Sequence, residues 1–303
     1  MKTMEEIAED IRRAQIYPAT IRVDINDKMS NVLFGLSDKQ FKGMRNGNRA
    51  FTVHEAKVKG TTVDSTFRIR SDSDEPLTAF DYAVFNACNS EQAAGNAYTT
   101  PNILYRALTG KIADSDANPS TDQIAAIRQS VTKLRRTDFL PDISDAFSKL
   151  KYEDVTLQIK EASVLPCIVL NAEVNGQFVE DAIYFLGESP LWVIANAKSQ
   201  VIRYDARLLD VPRQNNTSRV IALKNYVLHR VHEIKLHQQL APTLTFTDVF
   251  EKCGITEDAS RDDKYNARTA VKAVFAHLQS KGVIKTFEFV KRGVAIHAVT
   301  FTY

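Results

Sequence analysis

Between Arg261 and Arg292 the chain carries eight Lys and Arg residues against three Asp and Glu. Three of these cations, Lys264, Arg268 and Lys272, recur every four residues, with Asn266 and Thr269 interleaved. Residues four apart share one helix face, so this spacing sets ammonium and guanidinium groups in a row. Such a row can meet phosphates, and Arg and Asn can read base edges in the major groove through paired hydrogen bonds. Lys291 and Arg292 follow at the turn "VKRG" (290–293), where they suit phosphate or minor-groove contact. A second basic set, Arg128, Gln129, Lys133, Arg135 and Arg136, falls in 123–137, a window without Asp or Glu. The chemistry implied is binding to double-stranded DNA, and the plain alternative in both places is a solvated helix face. A third run, "KQFKGMRNGNR" (39–49), has four cations, two glycines and no acid. It reads as a surface loop, with a flexible arm on phosphates as the alternative.

The elements that must position these residues follow from periodicity. Ala267, Val271, Val274, Phe275 and Leu278 give the last helix its buried stripe. Before it come a long helix carrying Val220, Leu223, Val227, Val231 and Ile234, and a short one in "TFTDVFEKCGI" with Thr247 as cap and Gly254 as stop. Two strands flank "VKRG". The same order occurs earlier in the chain. Thr78 and Asp81 form a capping-box pattern ahead of Phe80, Ala83, Val84, Ala87 and Cys88 at helical spacing. Thr100-Pro101 opens a second helix that stops at Gly110. Ser120 and Gln123 open a third, striped by Ile124, Ile127, Val131 and Leu134. The strand-like stretches "VTLQIK", "LPCIVLNAEV" and "QFVEDAIYFLG" come next, the last two joined by an Asn175-Gly176 hairpin turn.

Three helices and a hairpin, repeated at a spacing of about 130 residues, is the plan of a helix-turn-helix variant with a β-wing. The fold class expected is therefore α+β, with two tandem winged-helix domains at 76–187 and 188–303. A small β-containing segment, 1–75, precedes them, and "FTVHEAKVKGTTVDSTFRIR" (51–70) reads as a hairpin around Lys59-Gly60.

Bulk properties narrow the classes further. At 303 residues and 44% hydrophobic the chain suits two or three packed domains. A net charge of +2 announces neither a nucleic-acid nor a membrane partner, so any basic surface has to be local. Apolar runs fall short of the ~20 residues a spanning helix needs, so no membrane association is expected. "MKTMEEIAEDIRRAQ" is charged throughout, unlike a signal peptide. Cys88, Cys167 and Cys253 lie far apart in apolar company and read as reduced core thiols, and a cytoplasmic location is expected.

Enzyme motifs are missing. "TGKIADSD" (109–116) lacks the first glycine and the Ser/Thr of a phosphate loop. His229, His232 and His237, in "HRVHEIKLH", form neither H-E-x-x-H nor H-x-x-E-H and read as partly buried helix residues. There is no H-x-H pair, and "DSD" (114–116) and "RDD" (261–263) look like solvated turns or caps. Nothing around a Ser or Cys suggests an activated nucleophile. No enzymatic activity, no cofactor and no metal are expected.

The stretch "SPLWVIANAKSQVIRYDARLLDVPRQNNTSRVIALKNYVLHRVHEIK" (189–235) adds a likeness. It shows Ser189-Pro190-Leu191, a strand ending in Leu208-Leu209-Asp210, and then a helix with Tyr226, Leu228, Arg230 and Val231. With the tandem plan, residues 76–303 resemble the replication initiators of plasmids and other mobile elements. The resemblance implies sequence-specific binding of repeated sites at a replication origin, with both domains on successive major-groove faces. It also implies origin opening, recruitment of host replication proteins, a homodimer that represses its own promoter, and residence on the plasmid or nucleoid. A transcriptional regulator of a mobile element is an alternative within the same physics, and a winged-helix protein-interaction scaffold an alternative outside it. Residues 1–75 match no pattern of that family.

Overall fold

Most α-helices of this chain start where a hydroxyl takes up otherwise unpaired backbone N–H groups. The computed structural model describes residues 2–13, 21–24, 33–34, 49–56, 62–71, 75–112, 114, 117–141, 149–152, 155–159, 161–174, 176–197, 200–237, 240–256, 258–293 and 295–303. Most of the basic run at 39–49, the Lys59-Gly60 turn, Ser115 and Asp116 of "DSD", and Asn175 lie outside the described residues.

The chain opens with α1 (Met4–Arg13), β1 (Ile21–Asp24), β2 (Arg49–Ala56) and β3 (Thr62–Ser71). A first unit follows: α2 (Ala79–Ala93), β4 (Tyr98–Thr99), α3 (Pro101–Thr109) and α4 (Thr121–Arg135). After four short strands, β5 (Thr137–Pro141), β6 (Lys149–Tyr152), β7 (Val155–Gln158) and β8 (Ala162–Ser163), it closes with β9 (Cys167–Val174) and β10 (Gln177–Phe185). A connection of α5 (Pro190–Ala197), β11 (Val201–Tyr204) and a 3-10 turn (Ala206–Leu209) leads onward. The second unit comprises α6 (Ser218–Leu236), β12 (Thr243–Thr245), α7 (Phe246–Lys252), α8 (Arg261–Ser280), β13 (Thr286–Arg292) and β14 (Ala295–Thr302).

The fold is α+β, with small antiparallel sheets. The two units build theirs alike, in the orders β4-β10-β9 and β12-β14-β13. In each, the short strand between the first two helices pairs with the second strand of the hairpin. The described strands of the first 75 residues pair with the first unit and with the connection. β2 and β3 pair from Arg49↔Ile69 to Ala56↔Thr62, β3 continues onto β5, and β1 pairs with β11 through Ile21↔Tyr204.

Capping explains most of the helix starts. Thr78 and Asp81 close a reciprocal box: the Asp81 carboxylate accepts from the Thr78 N–H at 2.7 Å while Thr78 Oγ1 accepts from the Asp81 N–H at 3.3 Å. Ser120 and Gln123 do the same for α4. Two details differ from the sequence reading. The cap of α7 is Thr245, two residues before Thr247: its hydroxyl accepts from the Asp248 N–H at 3.1 Å and donates to the Asp248 carboxylate at 2.7 Å. The reason is that β12 runs straight into the helix, so the capping residue is the last one of the strand. Leu208 and Leu209 lie in the 3-10 turn and not in a strand, because β11 ends at Tyr204 and Asp205 accepts from the Arg207 N–H at 2.9 Å.

One buried cluster runs through both units. It joins Val84, Leu104, Leu108, Ile127, Val131 and Leu134 to Leu223, Val227, Val231, Val271, Phe275, Leu278, Val299 and Phe301. A smaller cluster seats Ile7 and Ile11 of α1 against Tyr184 of β10, where the Tyr184 hydroxyl donates to Asp10 and Lys2 reaches the same carboxylate at 2.5 Å. At Gly110, φ is 78°, and an added Cβ would sit 2.4 Å from the Asp210 nitrogen and 2.6 Å from the Ala206 oxygen. Only glycine suits both the left-handed backbone and that approach.

Candidate nucleic-acid interface

Ser260 caps α8 by accepting from the Asp263 N–H at 3.0 Å, and Asp262 and Asp263 add negative charge where the helix dipole favours it. Ala267, Ala270, Val271, Val274, Phe275 and Leu278 fill the core side, which turns Asn266, Thr269 and Lys272 outward. Tyr265 joins them at 66% exposure. Sequence reasoning passed over it, although it shares the stripe of Thr269 and Lys272 at offsets of four and seven.

Lys264 and Arg268 stand at the edge of this face, half-buried. The Arg268 guanidinium lies 5.6 Å from the ring centre of Phe246 and 5.2 Å from that of Phe250, both on α7. Ring quadrupoles attract a cation there without neutralising it, so Arg268 keeps its charge while α7 fixes its position. At the hairpin, Gly293 turns at φ 61° directly after Lys291 and Arg292, and both cations are exposed. Neither these two nor Lys272 has an ion-pair partner among the described residues.

The first unit is arranged differently. Its Arg128 is engaged by Glu180 at 3.1 Å and by Asp181, both on β10. A bulge between Val179 and Ala182 puts Asp181 at φ 51°. Gln129 donates to Glu75 at 3.2 Å, and Lys133, only 12% exposed, lies 3.0 Å from Glu75 and 3.6 Å from Asp81. Arg135 is half-buried, and Arg136, the residue closing α4, is exposed and unpaired among the described residues. The acid-free window at 123–137 is thus met by carboxylates from 75, 81, 180 and 181.

The histidines of α6 are packing groups. His229 is half-buried, and desolvation, helped by Arg230 and His232, pushes its pKa down to about 3, so the ring is neutral. Burial also lowers His232, whose Nδ1 lies 2.9 Å from the Leu228 carbonyl. No group of three His, Cys, Asp or Glu among the described residues could hold a metal ion. The three cysteines are buried, and burial pushes the Cys167 and Cys253 thiols up to about 12. No helix among the described residues is long and apolar enough to cross a membrane.

No family model matches the chain, and no curated protein matches it in sequence. Among solved structures it is similar to domains 2 and 3 of RctB in two crystal structures. A selenomethionine derivative aligns at TM-score 0.42 and 13% identity, over 84% of this chain and 90% of that one. The second aligns at TM-score 0.40 and 11% identity, over 86% and 94%.

Proposed function

We propose that the chain binds double-stranded DNA sequence-specifically, as a replication initiator of a plasmid or integrated mobile element, and that its two units are winged helices. One observation carries the DNA reading: Tyr265, Asn266, Thr269 and Lys272 form an exposed face on the third helix of a unit whose hairpin tip holds Lys291 and Arg292 without an ion-pair partner among the described residues. A helix of this size fits the major groove, and a hairpin beside it reaches the flanking backbone. The replication role rests on the likeness of residues 189–235 to initiators. In this reading origin repeats are the target, host replication proteins and a second copy are the protein partners, and the chain has no catalytic step, cofactor or metal.

The test is selection of duplexes from a random library by the purified chain, followed by titration against salt. A recovered consensus, with log K falling by about 0.9 per phosphate contacted, supports the reading. Weak binding without a consensus removes it. A protein-docking role for the first unit is a second reading, favoured by Phe178, 68% exposed on the β9–β10 hairpin, and by the neutralised Arg128.

A further inference from the structure

α8 is tied to its neighbours at both ends of its exposed face. At the first turn, Asp263 accepts from the Ser260 hydroxyl at 2.9 Å and pairs with Arg219 of α6 at 2.5 Å. Further along, Arg268 lies against the Phe246 and Phe250 rings of α7. Tyr265, Asn266, Thr269 and Lys272 are left exposed in one stripe, with Asp262, also exposed, three positions before Tyr265. From 265 to 272 the stripe runs about 10 Å at ~1.5 Å per residue. That length equals about three base-pair steps of ~3.4 Å.

The groups in the middle of the stripe differ in what they can pair with. In the major groove guanine offers two acceptors, O6 and N7, which take the donors of a cation. Adenine offers an acceptor, N7, and a donor, N6, and thymine adds a methyl group. A carboxamide carries an acceptor and a donor side by side, so Asn266 matches both atoms of adenine and only one of guanine. The Tyr265 ring, 66% exposed, adjoins it, and the Thr269 methyl follows one turn on. Apolar surface of that kind meets the thymine methyl.

The charged groups stand outside this middle. Arg268 is half-buried at the edge of the face and held by α7, so a guanine beneath it falls at the margin of the contacted stretch. Lys272 closes the stripe at its far end. At the near end Asp262 can only accept, as from a cytosine amino group.

We infer that the middle of the duplex site under α8 is A·T. Asn266 pairs with an adenine through N6 and N7, the methyl groups of neighbouring thymines lie against Tyr265 and Thr269, and G·C pairs are confined to the margins. This assignment rests on the DNA reading above and goes beyond it by naming the bases.

The experiment starts from the duplex that the full chain selects, with binding read by fluorescence anisotropy. 7-Deazaadenine, placed at each adenine in turn, removes the N7 acceptor. At one position it should weaken binding by the wild-type chain about tenfold or more. Selection repeated with Asn266→Ala should lose its preference at that same adenine and keep every other base. Uracil in place of each neighbouring thymine removes only a methyl group. At least one such exchange should cost the wild-type chain about threefold, and that cost should vanish in Tyr265→Ala or in Thr269→Ser. The base analogues act on unaltered protein, so the test stands whether or not a variant folds, and melting temperatures check the variants. Full wild-type affinity with 7-deazaadenine at every adenine overturns the inference and leaves the DNA reading in place. A folded Asn266→Ala chain that keeps the wild-type consensus, or that loses preference at a G·C pair, does the same. Failure to select any consensus removes both.

Discussion

Replacing Lys272, Lys291 and Arg292 together by alanine tests the DNA face most directly. All three are exposed and lack ion-pair partners among the described residues, so the change should leave the melting temperature unmoved. If each meets one phosphate, the slope of log K against log salt falls in magnitude by about 0.9 per cation, or about 2.7 in total. At about 0.15 M salt each lost contact is worth about 0.7 of a log unit, so affinity for a random duplex drops by about 150-fold. The assay is fluorescence anisotropy of a labelled duplex over a series of salt concentrations, with wild type and triple variant side by side. A slope unchanged by the substitution would refute the placement of phosphates along α8 and the hairpin tip, whatever happened to the affinity.

In the first unit, Glu180→Gln with Asp181→Asn should release Arg128, tightening binding and steepening the salt slope by about 0.9 in the same anisotropy series. Asparagine tolerates the left-handed backbone at 181, so urea denaturation should show little loss. Arg268→Ala removes the cation over Phe246 and Phe250 and should lower stability by about 1 kcal/mol in urea, and by about 1–3 kcal/mol the binding of a selected site. Glu91 is buried, and desolvation raises its pKa from 4.5 to about 7, opposed by the Asn96 hydrogen bond. A carboxyl raised on folding favours the folded state while protonated, so that stability is full below pH 4.5 and is lost as pH rises through about 7. Glu91→Gln should abolish that slope and gain up to about 3 kcal/mol at pH 8, read from urea curves across pH. Gly110→Ala should cost about 2–4 kcal/mol, from the left-handed backbone and the overlap with Asp210, measured by thermal melting.

How much of this was legible beforehand depends on the distance over which each feature is decided. The boxes at Thr78 and Ser120 and the stop at Gly110 are settled within a few residues, and the sequence shows them. The cap of α7 is not local: β12 ends where its pairing with Ala298 of β14 ends, so the cap falls at Thr245. The partners of Arg128 lie more than fifty positions on, and an acid-free window said nothing about them. Tyr265 was readable from spacing alone, but a search weighted toward cations passes over an exposed aromatic.

Gly110 has a consequence for how variation at this locus would look. It is buried and contributes no functional group, yet the backbone of Asp210 and Ala206 occupies the space any side chain would need. Among related chains that share this joint, the position would be among the least variable, while the exposed face of α8 is free to diverge with the sequence it reads. A survey ranking residues by invariance alone would place a structural hinge pin above the residues that touch the target.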